Sequence, residues 1–221
     1  MEKLDLNTKE NKYRTFYDPS LLMLLFSNIL FGVFFLQSGG GVAVLMWTYW
    51  SQSVIIGFFN FLRILTQRNF STKGLSSNGR PVPHTEKAKR GVAFFFLFHY
   101  GFFHFIYFVF LMSNTTAFDQ LKFILIGALI FFTNHGFSFF YNISKEKNME
   151  RNIGSMLFYP YVRIIPMHVM IVFGLFLLDG AFSVFMFLVL KITADCAMHI
   201  LEHYIFNNKK AGISVKNINT A

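Results

Sequence analysis

The sequence has few charged residues and a single cysteine, and each shortage excludes a class of protein. Charged side chains make up 14% of the 221 residues, whereas soluble domains contain about 25%. The lone Cys196 excludes a disulfide framework and a cysteine-based zinc finger. The sequence also lacks a glycine-rich phosphate loop and a Gly-x-Ser-x-Gly motif, the usual signatures of nucleotide binding and of serine hydrolases.

Apolar residues dominate the chain. They account for 54% of it and include 32 phenylalanines, which is more apolar surface than a water-soluble fold of this size can bury. A helix needs about 20 apolar residues to cross a bilayer. Six segments meet that requirement and predict an all-α, polytopic bundle of six transmembrane helices: 20–38, 42–65, 91–112, 118–141, 155–178 and 181–206.

The fifth segment is interrupted by Pro160 and Pro166. The residues from Pro166 to Leu178 are too few to cross a bilayer. The helix therefore either begins earlier and kinks at Pro166, or residues 153–161 lie at the membrane interface.

The basic residues lie between the apolar segments, so the net charge of +9 indicates membrane topology and not nucleic-acid binding. Eighteen of the 20 Lys and Arg residues fall in four regions: the N-terminal tail (1–19), the loop 66–90 with Arg63, the region 145–163, and the C-terminal tail (207–221). Six spans place these regions on one side of a single transmembrane domain, 20–206. The positive-inside rule then predicts that both termini are cytoplasmic.

The basic loop between the second and third segments has two interpretations. We expect residues 67–90 to be mobile and to lie on the membrane surface, where Lys and Arg contact anionic headgroups. Alternatively, these charges only determine topology.

Polar side chains recur inside the predicted spans. Their transfer into a bilayer is energetically unfavourable, so they usually face the bundle interior. The sixth segment has five on one helical face: Lys191, Asp195, His199, Glu202 and His203. Lys191 and Asp195 are four residues apart and can pair. The other segments contribute Tyr49, Gln52, Ser53, Asn60, Arg63, His99, His104, His135, Ser138, Asn142, Arg163 and His168.

Counting from the cytoplasmic ends places several of these groups at one depth. At 1.5 Å per residue, four lie about 9–12 Å deep: Asn60, His99, His135 and His199. His168 joins them if the fifth helix enters the membrane near Tyr161. His99 and His104 point about 140° apart, so we expect His99 to face the internal site and His104 to form a second polar layer with Tyr107.

In this order, the residues resemble a family of prokaryotic multi-pass membrane proteins of unknown function. The resemblance covers nearly all six spans and depends on the following set: Tyr49–Trp50, Asn60, Arg63, His99–Gly101, His104, His135–Gly136, Ser138, Asn142, Pro160–Tyr161, Arg163–Ile164, His168, Lys191, Asp195, His199, Glu202 and His203. Members commonly have Glu where this chain has Gln52, so one carboxylate of that set is replaced. The resemblance implies a common fold, a common polar centre and a place in the prokaryotic cytoplasmic membrane, but no activity.

The first functional hypothesis is a metal-dependent membrane enzyme, either a hydrolase or an oxidoreductase. His199 and His203, one turn apart, would bind the metal with Asp195, and the set would be completed by His135, His168 or His99. Imidazole and carboxylate ligands suit Zn²⁺, Fe²⁺ or Mn²⁺, and a bound water or dioxygen would react with a lipid-like substrate. The remaining candidates are Glu202, Lys191 and Arg163 for catalysis, and Tyr49, Asn60, Arg63 and His104 for cofactor binding.

Two other classes are compatible with the same residues. A proton-coupled carrier or proton relay would use Lys191, Asp195 and the histidines. A structural or assembly subunit would use the polar layer only to fix helix packing.

Overall fold

A computed structural model describes residues 19–38, 41–114, 120–146 and 149–174, together with four isolated positions between 185 and 193. In these ranges the chain forms five helices: α1 (Pro19–Ser38), α2 (Val42–Thr66), α3 (Glu86–Asn114), α4 (Leu121–Glu146) and α5 (Ile153–Gly174). Four strands of two residues lie in two of the connections. Between α2 and α3 are β1 (Phe70–Ser71), β2 (Ser76–Ser77) and β3 (Arg80–Pro81), and between α4 and α5 is β4 (Arg151–Asn152). The mostly helical fold is therefore confirmed. The sixth predicted segment, 181–206, lies outside the described ranges except for those isolated positions.

The described part of the fifth predicted segment, up to Gly174, is one continuous helix. Because α5 begins at Ile153, both of its prolines lie within the helix. Whether residues 153–161 cross the membrane or lie at its interface stays a prediction. Its first turn is capped by Asn152, whose Oδ1 accepts a hydrogen bond from the Ser155 amide at 3.0 Å. This bond satisfies one of the amides that a helix N-terminus leaves without an internal partner.

Helices that follow one another along the described part of the chain alternate in direction. Contacts occur in opposite order along α2 and α3: Phe61 with Phe94, Ser53 with Tyr100, and Trp50 with Phe108. They occur in the same order along α3 and α5: His99 with Tyr161, and Tyr107 with His168. The end of α2 and the starts of α3 and α5 therefore lie at the same end of the bundle, which we call the capped end.

Glycines allow close approach on two sides of α2. A Cβ atom at Gly57 would lie 2.4 Å from a ring carbon of Tyr100 on α3. A Cβ atom at Gly127 on α4 would lie 2.6 Å from the Thr48 methyl group. Small residues at helix contacts are typical of bundles in membranes, where close packing must replace the hydrophobic effect.

Two helices in the described residues, α3 and α4, are long and apolar enough to cross a membrane. Their apolar side chains are largely exposed, with Phe98 73% and Phe140 71% accessible. On α3 the exposed side chains recur every three or four residues: Phe94, Phe98, Phe102, Phe105, Val109 and Met112. Soluble monomers rarely expose a continuous apolar stripe of this length.

The connection between α2 and α3 takes part in two strand pairings, whereas we expected a mobile loop. β2 and β3 pair in antiparallel fashion around Asn78 and Gly79, which have φ angles of 52° and 73°, as a two-residue hairpin turn requires. β1 pairs in parallel with β4, with Phe70 opposite Arg151. We call residues 67–85 and 149–152 together the cap.

The interior of the cap is held by polar side chains at the end of α2. Lys89 is buried, and its Nζ donates to the Gln67 carbonyl at 2.6 Å. The same nitrogen lies 2.8 Å from a Glu86 carboxylate oxygen and 5.0 Å from the centre of the Phe70 ring. The Gln67 side-chain amide donates to the carbonyl groups of Asn69 and Met149. These bonds satisfy buried backbone groups of both connections and hold the two basic regions together at the capped end.

Candidate functional site in the helix bundle

Three polar side chains meet between α2 and α3. The hydroxyl oxygen of Ser53 lies 2.9 Å from the Tyr100 hydroxyl and 2.9 Å from His104 Nε2. Tyr100 and His104 are one turn apart on α3, so both can reach the same point on α2. All three side chains are buried, and we call them the central triad.

The hydrogen bonds of the triad determine which nitrogen of His104 carries a proton. His104 Nδ1 lies 2.9 Å from the Tyr100 carbonyl, and because a carbonyl only accepts, Nδ1 is the donor. In the neutral imidazole, Nε2 then accepts from the Ser53 hydroxyl. The Tyr100 hydroxyl also has the Ser53 carbonyl as a partner, at 3.0 Å.

The same geometry accommodates a protonated imidazole. With a proton on Nε2, His104 donates to the Ser53 oxygen, and the Ser53 hydroxyl hydrogen rotates toward Tyr100. The Tyr100 hydroxyl donates to the Ser53 carbonyl, so each polar hydrogen keeps a partner. The triad can gain or lose a proton without leaving a buried donor unpaired. The remaining cost of protonation is the burial of the imidazolium charge.

Neighbouring rings hold the triad in place. The imidazole of His104 stacks on the ring of Tyr100, with centroids 4.2 Å apart. The Trp50 indole N–H on α2 donates to the His104 carbonyl at 2.9 Å. The triad is therefore fixed on both helices, since its histidine is bonded through its ring and its backbone.

Two further tyrosine–histidine pairs lie between α3 and α5. The Tyr161 hydroxyl is 2.7 Å from His99 Nδ1, and the Tyr107 hydroxyl is 3.1 Å from His168 Nδ1. The ring of Tyr161 also contacts the ring of Tyr100, with centroids 5.5 Å apart. With the central triad these pairs form a series, the Tyr–His series. It extends over nine residues of α3, from His99 to Tyr107, or about 12 Å.

His99 and His104 differ in burial, and the ring of His104 lies 6.1 Å from the ring of Tyr107, with which we expected it to form a second polar layer. His104 is only 3% exposed, whereas His99 is exposed. The reason is that α2 packs against the face of α3 that carries His104, whereas His99 lies on the side facing Tyr161. Their separate partners agree with the 140° between them.

The other predicted residues on described helices are spread over the bundle. Tyr49 and Gln52 are buried on α2, and Arg63 lies in the last turn of that helix. The Asn60 side chain donates to the Met156 carbonyl on α5 at 2.9 Å. His135 is half-buried on α4, and the Asn142 side chain donates to the Ser138 carbonyl at 2.9 Å.

Sequence reasoning did not assign Tyr100 and Tyr161 to the site, although each contacts a histidine in the structure. Their positions gave a signal, because Tyr100 is one turn before His104 within an apolar segment. A tyrosine buried there needs a partner for its hydroxyl group. The fully buried Asn134 on α4 was also missed; its Oδ1 has no hydrogen-bond partner within the described part of the chain.

No group of three or more His, Cys, Asp or Glu side chains in the described residues is placed to hold a metal ion. His99 and His168 instead pair with tyrosine hydroxyls, and His104 pairs with Ser53 and the Tyr100 carbonyl. The predicted metal and catalytic residues of the sixth segment lie outside the described residues, as does the side chain of Arg163: Lys191, Asp195, His199, Glu202 and His203. The metal centre therefore stays a prediction.

Comparison with known proteins identifies the family but no activity. A family profile matches residues 10–212 and is described as a family of unknown function (DUF6498). The chain belongs to this family. Neither a search of curated proteins nor a search of solved structures found a match. The matched range includes all the described helices and the sixth apolar segment.

Proposed function

We propose that the protein is a six-span membrane protein that relays protons through the Tyr–His series. The exposed apolar stripe on α3, the alternating helix directions and the cap at one end support the membrane placement. The cap joins the two basic regions that the positive-inside rule assigns to the cytoplasmic side. Both termini are then cytoplasmic.

The main observation behind the relay is the central triad. Its three groups can each donate and accept, and they are joined by two contacts of 2.9 Å. Histidine is the side chain that changes charge nearest to neutral pH, and buried ionisable groups in membrane helices typically mark proton or ion paths. The tyrosine–histidine pairs provide further positions for a proton along α3.

The test is proton flux through the purified full chain in liposomes that contain a pH-sensitive dye. We expect flux down an imposed pH gradient, reduced tenfold or more in the Ser53→Ala and His104→Ala variants, because each removes a link. Ser51→Ala is the matched control. Ser51 lies on the same helix, but its hydroxyl donates to the Trp47 carbonyl of its own helix, at 2.9 Å.

Two results would contradict the relay. The first is the absence of flux in the parent protein, and the second is equal flux in the Ser51→Ala and Ser53→Ala variants. The metal-dependent enzyme acting on a lipid-like substrate makes a different prediction for the same samples. Such an enzyme should contain about one Zn²⁺, Fe²⁺ or Mn²⁺ ion per chain. The His199→Ala variant should lose this metal, and the His104→Ala variant should retain it.

A further inference from the structure

One exposed face of α3 changes from cationic to aromatic within a single turn. Lys87, Arg90, Phe94 and Phe98 follow one another at intervals of three or four residues, so they share a face. All four side chains are exposed. In a bilayer, such a change marks the level at which hydrocarbon gives way to headgroups.

The cap next to this face presents further cations. Arg68, Lys73 and Arg80 are exposed. Among residues 67–90 the only acidic residue is Glu86, whose carboxylate is paired with the buried Lys89. The second segment of the cap adds one exposed carboxylate, Glu150. The exposed cations of the described residues at the capped end outnumber these carboxylates, so its surface is positive.

These cations are held on a folded support. Two strand pairings shape the cap, and Leu75 lies against the start of α5, where a Cβ atom at Gly154 would be 3.6 Å from its side chain. A fixed set of cations loses less conformational freedom on binding than a mobile loop would lose.

We infer that the capped end binds the phosphodiester headgroups of anionic phospholipids through Lys87, Arg90 and the exposed cations of the cap. The inference rests on the proposed membrane placement, which positions Arg90 at headgroup level, one turn from Phe94. Charge complementarity selects the lipid: arginine and lysine near a membrane surface attract anionic lipids, and a guanidinium can bond two phosphate oxygens at once. A zwitterionic lipid of the same chain length has no net charge to attract.

The test is native mass spectrometry of the full chain in detergent micelles with equal amounts of phosphatidylglycerol and phosphatidylcholine of identical acyl chains. We expect retained lipid to be mainly phosphatidylglycerol. The double variant Lys87→Gln, Arg90→Gln should reduce that preference on the order of tenfold. Lys122→Gln is the matched control, because Lys122 is exposed at the start of α4, at the opposite end of the bundle.

A preference that persists in the double variant, or that falls equally in Lys122→Gln, would overturn the inference. Thermal unfolding of each variant shows whether it is folded. If the double variant is unstable, Arg80→Gln on the exposed hairpin replaces it and should lower the preference by itself. A failure of lipid binding can be distinguished from a failure of the proposed function. Proton flux in the double variant tests the relay, and resistance to alkaline extraction tests membrane insertion.

Discussion

Gly57 lies against the ring of Tyr100, and this contact brings the central triad together. A methyl group at position 57 would lie 2.4 and 2.7 Å from two ring carbons, so Gly57→Ala must displace the ring from Ser53. We expect a loss of about 1–3 kcal/mol in the free energy of unfolding, as for other overpacked cores. Thermal unfolding in detergent measures it, and proton flux should fall with it.

Gly101→Ala is the matched control for Gly57→Ala. Gly101 is the next residue after Tyr100, but nothing lies within 4 Å of a Cβ atom built there. Its substitution should change stability little or raise it slightly, because Ala is the better helix former. Equal destabilisation by the two variants would show that the Gly57–Tyr100 contact does not limit the packing of α2 against α3.

Lys89 joins two elements of the fold, the cap and helix α3. Lys89→Met keeps the length of the side chain but removes the bond to the Gln67 carbonyl and the ion pair with Glu86. The loss of a charged hydrogen bond at a buried site costs about 1–3 kcal/mol. Local opening of the cap should then be on the order of tenfold more frequent, and tryptic cleavage after the exposed Lys73 should accelerate accordingly.

The control for Lys89→Met is Lys87→Met, which removes an exposed lysine of the same helical turn. Mass spectrometry of the fragments identifies the cleaved bond in each case. We expect the Lys87 variant to be cut after Lys73 at the parental rate. If both variants are cut equally fast, the buried lysine does not hold the cap.

The helices were predictable from the sequence because each depends mainly on its own residues. Apolar length and flanking polar residues located the first five segments close to the observed helices, since burial of a helix in lipid needs about 20 apolar residues in a row. The cap was not predictable in this way. Its pairing of Phe70 with Arg151 joins residues 81 positions apart, although Asn78–Gly79 is a known hairpin signal.

The candidate site was predictable in composition but not in arrangement. The sequence placed Ser53 among the polar residues of the second segment, and periodicity separated His99 from His104 on α3. It could not show that α2 packs against His104, because that choice depends on close approach at Gly57 and on the Trp50 bond to the His104 carbonyl. Residue spacing within one helix does not specify which neighbour covers each face.

The arrangement of the whole molecule leads to a topology prediction. In the proposed six-span arrangement, the cap lies in the cytoplasm and the end of α3 lies on the opposite side. The β1–β4 pairing adds that the connection before α5 lies beside the cap. Single cysteines at Ser77, Glu150 and Asn114, introduced into a Cys196→Ser background, report these positions. An impermeant thiol reagent applied to intact cells should label Asn114→Cys only.

Labelling of inverted membrane vesicles should give the reverse pattern, with Ser77→Cys and Glu150→Cys both reactive. The two must behave alike because the parallel strands hold their segments at one end of the bundle, whatever the total number of spans. Opposite accessibility of Ser77 and Glu150 would therefore contradict the fold of the cap. Equal accessibility of Ser77 and Asn114 would instead contradict only the crossing of the membrane by α3, because a single span must separate its two ends.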